Sequence, residues 1–365
     1  MDVVDLFKKF IGTKSETPDD GGLLNFISEY LSDFTAIRID VEDVKNLFIY
    51  KKFSDGDHLC FAGHVDVVPA GNGWNSDPYT AVEKDGFIYG RGAQDMKSGL
   101  AAFTAAIHDS EHFHGTLSLL LTSDEEGEAK YGTIKVLEYL KEKDMLPDSV
   151  VVAEPTCEQK FGDAIKVGRR GSINGYITLK GKQGHAAYPE KAINPIHNIA
   201  TVLGKMAGVN IDQGDEFFSP SKFVVTDIRS GMQVTNVTPH ELKMMFNVRN
   251  TTITTQKEVR MFVDKFLGTY DYELKLTQGS YPFQTDTDTK VVQNIDKAIE
   301  KITGIKPKHS TAGGTSDARF VAQFGIHVIE FGVKNDTIHA VNERTTKEEI
   351  YGLYNVFKTL IKDWR

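Results

Sequence analysis

Residues 59–69 read LCFAGHVDVVP. The run Leu59–Ala62 is continuously apolar, as in a strand buried on both faces of a sheet. It then delivers His64 and Asp66, two residue types that cost free energy in an interior unless something satisfies them. On a strand, positions i and i+2 face the same way, so the imidazole and the carboxylate point together. A carboxylate in that position can fix the tautomer of a histidine and raise its basicity, as the partners of metal-binding histidines do.

The same arrangement recurs outward from this stretch. YGRGAQDMKSG (89–99) places Asp95 in a glycine-rich turn directly before a small, apolar helical run, SGLAAFTAAIHDSEHF (98–113). LSLLLTSDEEGEA (117–129) ends a strand in Asp124, Glu125 and Glu126, and DSVVVAEPT (148–156) ends another in Glu154. KNDTIHAVNE (334–343) offers His339. Strands that finish in acids or histidine at their carboxyl ends meet where open α/β sheets form their sites. Unpaired carboxylates brought together there repel and carry raised pKa values. A pair of divalent cations removes that cost, and mixed histidine and carboxylate donors suit zinc, with cobalt or manganese as substitutes. Of the adjacent Glu125 and Glu126, one can ligate while the other takes a proton from water. GRG at 90–92 lacks the third glycine and the preceding strand of a dinucleotide loop, so that reading is set aside.

The wider pattern gives the architecture. DVVDLFKKFIG (2–12) puts Val3, Leu6, Phe7 and Phe10 on one helical face, and LFIYKKF, GTLSLLLTS and DSVVVAEP read as strands between helical segments. Alternating strands and helices predict an α/β layer on a mixed sheet. After about residue 170 the texture becomes that of an antiparallel meander (172–189, 221–239, 240–251) with helices expected over 194–208 and 254–269. The α/β pattern returns in TDTKVVQNIDKAIEKITG, HVIEFG and the C-terminal helix. The expected organisation is a discontinuous catalytic domain, 1–170 and 283–365, with an α+β insertion at 171–282 made of two helices on a four-stranded antiparallel sheet.

Composition narrows the function classes. The chain has 365 residues, 40% of them hydrophobic and 25% charged, with a formal net charge of -9. That balance disfavours nucleic-acid or membrane-surface partners, which call for basic patches. The two cysteines, Cys60 and Cys157, are too few for a disulfide framework, and the N-terminal stretch carries early acids and no apolar core. A cytoplasmic protein is expected. An anionic substrate requires clustered cations, and KVGRRGS supplies Lys166, Arg169 and Arg170 while FNVRN supplies Arg249. The histidines of HDSEHFHG (108–115) read as a solvated helix end.

Taken in order, GHVDVVP, GRGAQDMKSG, TSDEEG, AEPT and TIHAVNE resemble the co-catalytic zinc amidohydrolases of the aminoacylase and carboxypeptidase family. Two further stretches, GRRGSINGYITLKGKQGHAAYPEKAINPIHNIA and STAGGTSDARF, narrow the resemblance to one branch that acts on an anionic acyl-amino acid. The resemblance implies two zinc ions per subunit. His64 and Glu126 would serve one, His339 and Glu154 the other, and Asp95 would bridge them. It further implies Glu125 as general acid/base, Asp66 as the residue behind His64, and a cis peptide after Asp95. His185, in QGHAAYP, would polarise the scissile carbonyl from the other subunit of a homodimer built through the insertion. Ser172, Tyr188, Asn236, Gly314, Thr315 and Asn335 would join Lys166, Arg169 and Arg249 around the substrate. The other readings are a related deacylase, a dipeptidase, or a catalytically dead sensor of acylated amino acids.

Overall fold

The apolar run does form a strand, Asp57–His64, and this strand is the fourth of eight in a mixed sheet. The computed structural model describes residues 1–364. From Leu59 onward the strand is buried, because it runs parallel to Gly115–Thr122 on one side and to Ser149–Val152 on the other. Ser149–Val152 in turn runs parallel to His327–Glu330. All four strands therefore deliver their carboxyl ends to one edge of the sheet. Asn46–Lys52 and Thr35–Arg38 extend it antiparallel on one side. Ala164–Lys166 and Lys308–Ser310 complete the other.

Helices close the sheet by burying what the sequence made apolar. Val3–Ile11 is capped by the Asp2 side chain, which accepts from Val4 N at 2.9 Å, and it buries the predicted face together with Val4 and Ile11. Lys97–His108 is buried along Lys97–Ile107, as an all-round apolar helix must be. Its Gly99 is required by close approach, since a Cβ there would stand 2.4 Å from the Ala153 carbonyl oxygen. That contact seats the helix directly on the segment carrying Glu154. Lys347–Asp363 starts in a capping box of Thr346 and Glu349, and Phe357 meets Phe61 edge-on at 5.1 Å.

The chain divides into two compact units. The second comprises Arg169–Gln284 and Thr311–Thr315, so it takes in a short loop that lies far along the chain from the expected 171–282. Its four antiparallel strands run in the order Phe223–Ser230, Glu241–Val248, Ser172–Lys180, Tyr272–Ser280. This corrects the expected meander: Ser172–Lys180 is an inner strand and pairs with two of the three later ones, Glu241–Val248 and Tyr272–Ser280. The helix expected over 194–208 is broken into Pro195–Ala200 and Leu203–Met206. Gln256–Leu267 forms as one piece behind a capping box of Thr255 and Glu258. The unit has its own core, including Ile177, Phe223, Phe246 and Val263. Among the described residues, no helix is long and apolar enough to cross a membrane.

Candidate metal centre

The first unit holds seven of the predicted residues at the carboxyl edge of its sheet. His64 ends its strand and is 1% exposed. Its Nδ1 lies 2.8 Å from the Asp66 main-chain carbonyl, and its Nε2 lies 3.1 Å from Asp95 Oδ1 and 3.6 Å from Glu154 Oε1. With Nδ1–H donating to that carbonyl, Nε2 is the nitrogen left for a ligand. The Asp66 carboxylate is farther off, at 3.6 Å from Nδ1. It also accepts from the main-chain N–H of Glu125 at 3.4 Å and of Glu126 at 3.1 Å. Asp66 thus holds the turn that presents both glutamates, and burial lifts its carboxyl to about 6.

On the opposite side, His339 Nε2 lies 2.9 Å from Glu126 Oε1 and 3.4 Å from Asp95 Oδ2. The direct contacts therefore join His64 to Glu154 and His339 to Glu126, which is the reverse of the pairing implied by the resemblance. Asp95 touches both histidines through different oxygens, Oδ1 toward His64 and Oδ2 toward His339. The peptide after Asp95 is cis, as expected. One ligand atom each from His64, Asp95 and Glu126 fall within 4.8 Å of one another, close enough for a single ion.

Burial and converging charge set the electrostatics of this cluster. Burial drives the Glu125 and Glu154 carboxyls well above the usual range, and neighbouring acids push the same way. For His64, burial alone would lower the pKa, but the bond to Asp95 and the charges of Glu154, Glu125 and Asp66 raise it well above the usual value. His339 is raised to about 10 by Asp95 and Glu126. Burial opposes ionisation of Asp95, yet the two histidines hold it below the ordinary carboxylate range. The donor set, two imidazole nitrogens among converging carboxylates, fits divalent ions.

The first acid of the DEE run is structural. Asp124 is buried and accepts from Lys130 N at 2.8 Å and Tyr131 N at 2.9 Å, closing the loop that follows. Glu343 is the residue that the motif reading missed. It is 1% exposed, and it accepts from the main-chain N–H groups of Gly92, Gln94 and Asp95. The only sequence signal for it was its place at the end of TIHAVNE.

The sequence profile of peptidase family M20/M25/M40 matches residues 60–363. The chain belongs to this family. Succinyl-diaminopimelate desuccinylases of Sulfurimonas denitrificans and Nitratiruptor are 75% and 66% identical to it, over 100% of both chains in each case. The M20 fold is shared with aminopeptidase PepT of Bacillus cereus, at a TM-score of 0.80 and 22% identity, covering 99% of this chain and 97% of that one. A dinuclear metal-binding M20 peptidase of Bacillus subtilis aligns at a TM-score of 0.72 and 15% identity, over 98% and 96% of the two chains.

The remaining candidates of this M20 chain are placed as follows. In the second unit, Gly184–His185 pairs with Val237–Thr238, so exposed His185, Tyr188 and Asn236 share one loop assembly. The His185 and Tyr188 rings are 5.9 Å apart, and Ala186 N donates to the Asn236 carbonyl at 2.9 Å. Ser172 Oγ accepts from Asn247 Nδ2 at 2.8 Å. Arg169 is buried, and its Nη1 donates to the Ala312 and Gly314 carbonyls at 3.3 and 3.2 Å. It shapes the glycine loop that carries Gly314 and Thr315, and Gly313 makes room for it, since a Cβ there would lie 2.4 Å from Nη1. Arg249 lies one residue past its strand, exposed, and lines a cleft of about 360 Å³ with Arg170 and Lys222. In the first unit, Lys166 is 4% exposed and donates to Ser310 Oγ at 3.3 Å, because its whole strand is interior. Asn335 N donates to the Cys157 carbonyl at 3.2 Å.

Proposed function

We propose that this chain hydrolyses N-succinyl-LL-2,6-diaminopimelate to succinate and LL-2,6-diaminopimelate, a cytoplasmic step of bacterial lysine and cell-wall precursor synthesis. The observation that carries the reading is the convergence of His64, Asp95, Glu126, Glu154 and His339 beside Glu125. Full-length relatives named for that activity support the substrate. His64 and Glu154 are assigned to one divalent ion, Glu126 and His339 to the other, and Asp95 to both, with zinc the first choice and cobalt or manganese as substitutes. When bound, the ions supply electrostatic polarisation of the amide carbonyl and a lowered pKa for water.

The chain's own residues do the rest. The Glu125 carboxylate takes the proton of the attacking water and passes it to the leaving amine nitrogen. Burial and the charges of Asp317, Asp95 and Glu126 raise its proton affinity, which favours uptake of the water's proton. Asp66 holds the main chain of Glu125 and Glu126 in place. His185 is assigned to the scissile carbonyl oxygen, acting from the partner subunit of a homodimer formed through the second unit. That assembly is supported by outer strands with one unpaired edge each, Phe223–Ser230 and Tyr272–Ser280, and by exposed Tyr188, Ile193, Met232 and Val234. Arg249, with Arg170 and Lys222, is assigned to a substrate carboxylate. Arg169 acts through the loop of Gly314 and Thr315, and Lys166, Ser172, Tyr188, Asn236 and Asn335 complete the assigned surroundings.

The test is a panel of the succinyl compound, N-acetylornithine and a dipeptide, with and without chelator. Losing one charge-assisted bond costs about one to two decades in rate, so the succinyl compound is expected to lead in kcat/KM by at least that much. Chelator is expected to abolish turnover. Equal turnover of N-acetylornithine overturns the substrate, and full activity in chelator overturns the metal chemistry. For action in trans, mixing His185→Ala and Glu125→Gln chains should restore activity through hybrid dimers. No recovery despite subunit exchange contradicts it.

A further inference from the structure

The two segments that carry Asp95 and His339 are joined by one buried ion pair. Arg91 and Glu343 are 2% and 1% exposed, and Arg91 Nη1 donates to Glu343 Oε2 at 2.8 Å. Every lone-pair direction of the carboxylate is in use. Oε2 also accepts from Gly92 N at 2.8 Å, and Oε1 accepts from Gln94 N at 2.8 Å and Asp95 N at 3.1 Å. The guanidinium reaches back to the other segment, donating to the Ala340 carbonyl at 3.2 Å and the His339 carbonyl at 3.5 Å. It also donates to Ala70 O at 3.2 Å. Gln94 adds a second tie: its amide donates to Asp336 Oδ1 at 2.6 Å, and its oxygen accepts from Thr337 N at 2.8 Å.

A buried ion pair is weak evidence for stability, because desolvating both charges offsets most of their attraction. What it does secure is geometry. His339 and Asn342 both have left-handed backbones, at φ of 58° and 60°, a conformation that residues other than glycine keep when their surroundings impose it. The carbonyl of His339 itself is one of the groups Arg91 holds. Among the described residues no such ion pair holds the backbone of His64, which ends its strand, or of Glu154, which follows Ser149–Val152 by two positions.

We propose that Glu343, acting with Arg91, is a positioning residue that presets the Asp95–His339 side of the cluster for its ion. The inference rests on the two-ion reading above. Its test is a stepwise cobalt(II) titration of metal-free full-length protein, followed by visible absorption. Variants His339→Ala and His64→Ala identify which step belongs to which ion. Partners behind metal ligands typically contribute about 10–100-fold in affinity. Glu343→Gln is therefore expected to weaken the step lost in His339→Ala by about that factor, and to weaken the His64 step less. Arg91→Lys, which keeps the charge but not the fork, is expected to fall between wild type and Glu343→Gln. Where Glu343→Gln does not fold, Glu343→Asp is measured the same way, with the same expectation. Equal weakening of both steps, or of neither, overturns the proposal. A wild-type titration with a single step removes the two-ion reading and this inference with it.

Discussion

Asp212 and Glu154 are both carboxylates on loops that leave the core of their unit, and they live in opposite circumstances. Asp212, in the second unit, accepts from Gly214 N and Ser221 N at 2.8 and 2.9 Å and from the hydroxyls of Thr251 and Thr254. Burial there works to raise its pKa, but these bonds outweigh it and bring it down to about 2. Glu154, in the first unit, is raised well above the ordinary value by burial and by the nearby Asp95, with His64 the opposing charge. One acid is complete within the chain and pins two loops together. The other belongs to a group of buried acids whose charges oppose one another. Carboxylates solved by local donors are architecture, and carboxylates left in mutual repulsion mark where something else is meant to bind.

The sharpest break of that contrast is chemical. Glu125→Gln keeps the shape of the site and removes its base, so turnover is expected to fall by about two to four decades. Metal content should stay unchanged, because Glu125 is not among the assigned ligands. Near-normal turnover with verified metal content removes Glu125 from its role.

Next in size is the effect of cations on stability. Each ion present at 100 times its dissociation constant stabilises the folded chain by about 2.7 kcal/mol. Thermal unfolding with and without chelator is expected to show a large upward shift with metal. Asp212→Ala gives the comparison: it leaves hydroxyl and amide donors without an acceptor and should cost about 1–3 kcal/mol. That loss should be the same with metal present or absent. A loss that depends on metal would mean that the Asp212 network is not independent of the site.

The smallest effect is in pH. A carboxyl with its folded pKa below the unfolded value contributes stability that is complete above the unfolded pKa and lost as pH falls through the folded one. For Asp212 the window runs from the ordinary aspartate value of 3.8 down to about 2. The difference in stability between wild type and Asp212→Ala is expected to shrink as pH drops through that window. A difference that stays constant to pH 2 contradicts the bonding seen around Asp212.

Much of the centre was legible in the sequence because strand ends announce themselves. An apolar run that stops in His64, in Glu125 and Glu126, or in Glu154 fixes a direction, and parallel neighbours send all of them to one edge. What could not be read was contact across long sequence separation. Glu343 lies 248 positions from Asp95 and holds its main chain, yet no local period reports that. The sharing of ligands is not legible for the same reason: whether His64 faces Glu126 or Glu154 depends on loop geometry, not on motif order. Asp124 and Glu125 are neighbours of the same chemical kind, and only the structure shows one closing a loop and the other facing the cluster. In the second unit, alternation identified the strands, but the order of pairing and the break after Ala200 are set by packing.

The central claim is that five donors from separate strand ends and loops make a two-ion centre. Metal analysis of zinc-saturated, full-length protein, paired with a calorimetric titration of the metal-free chain, tests it directly. The account predicts two zinc ions per chain, with His64→Ala and His339→Ala each losing one. A single ion per wild-type chain at saturation, or both ions retained in either variant, would contradict it.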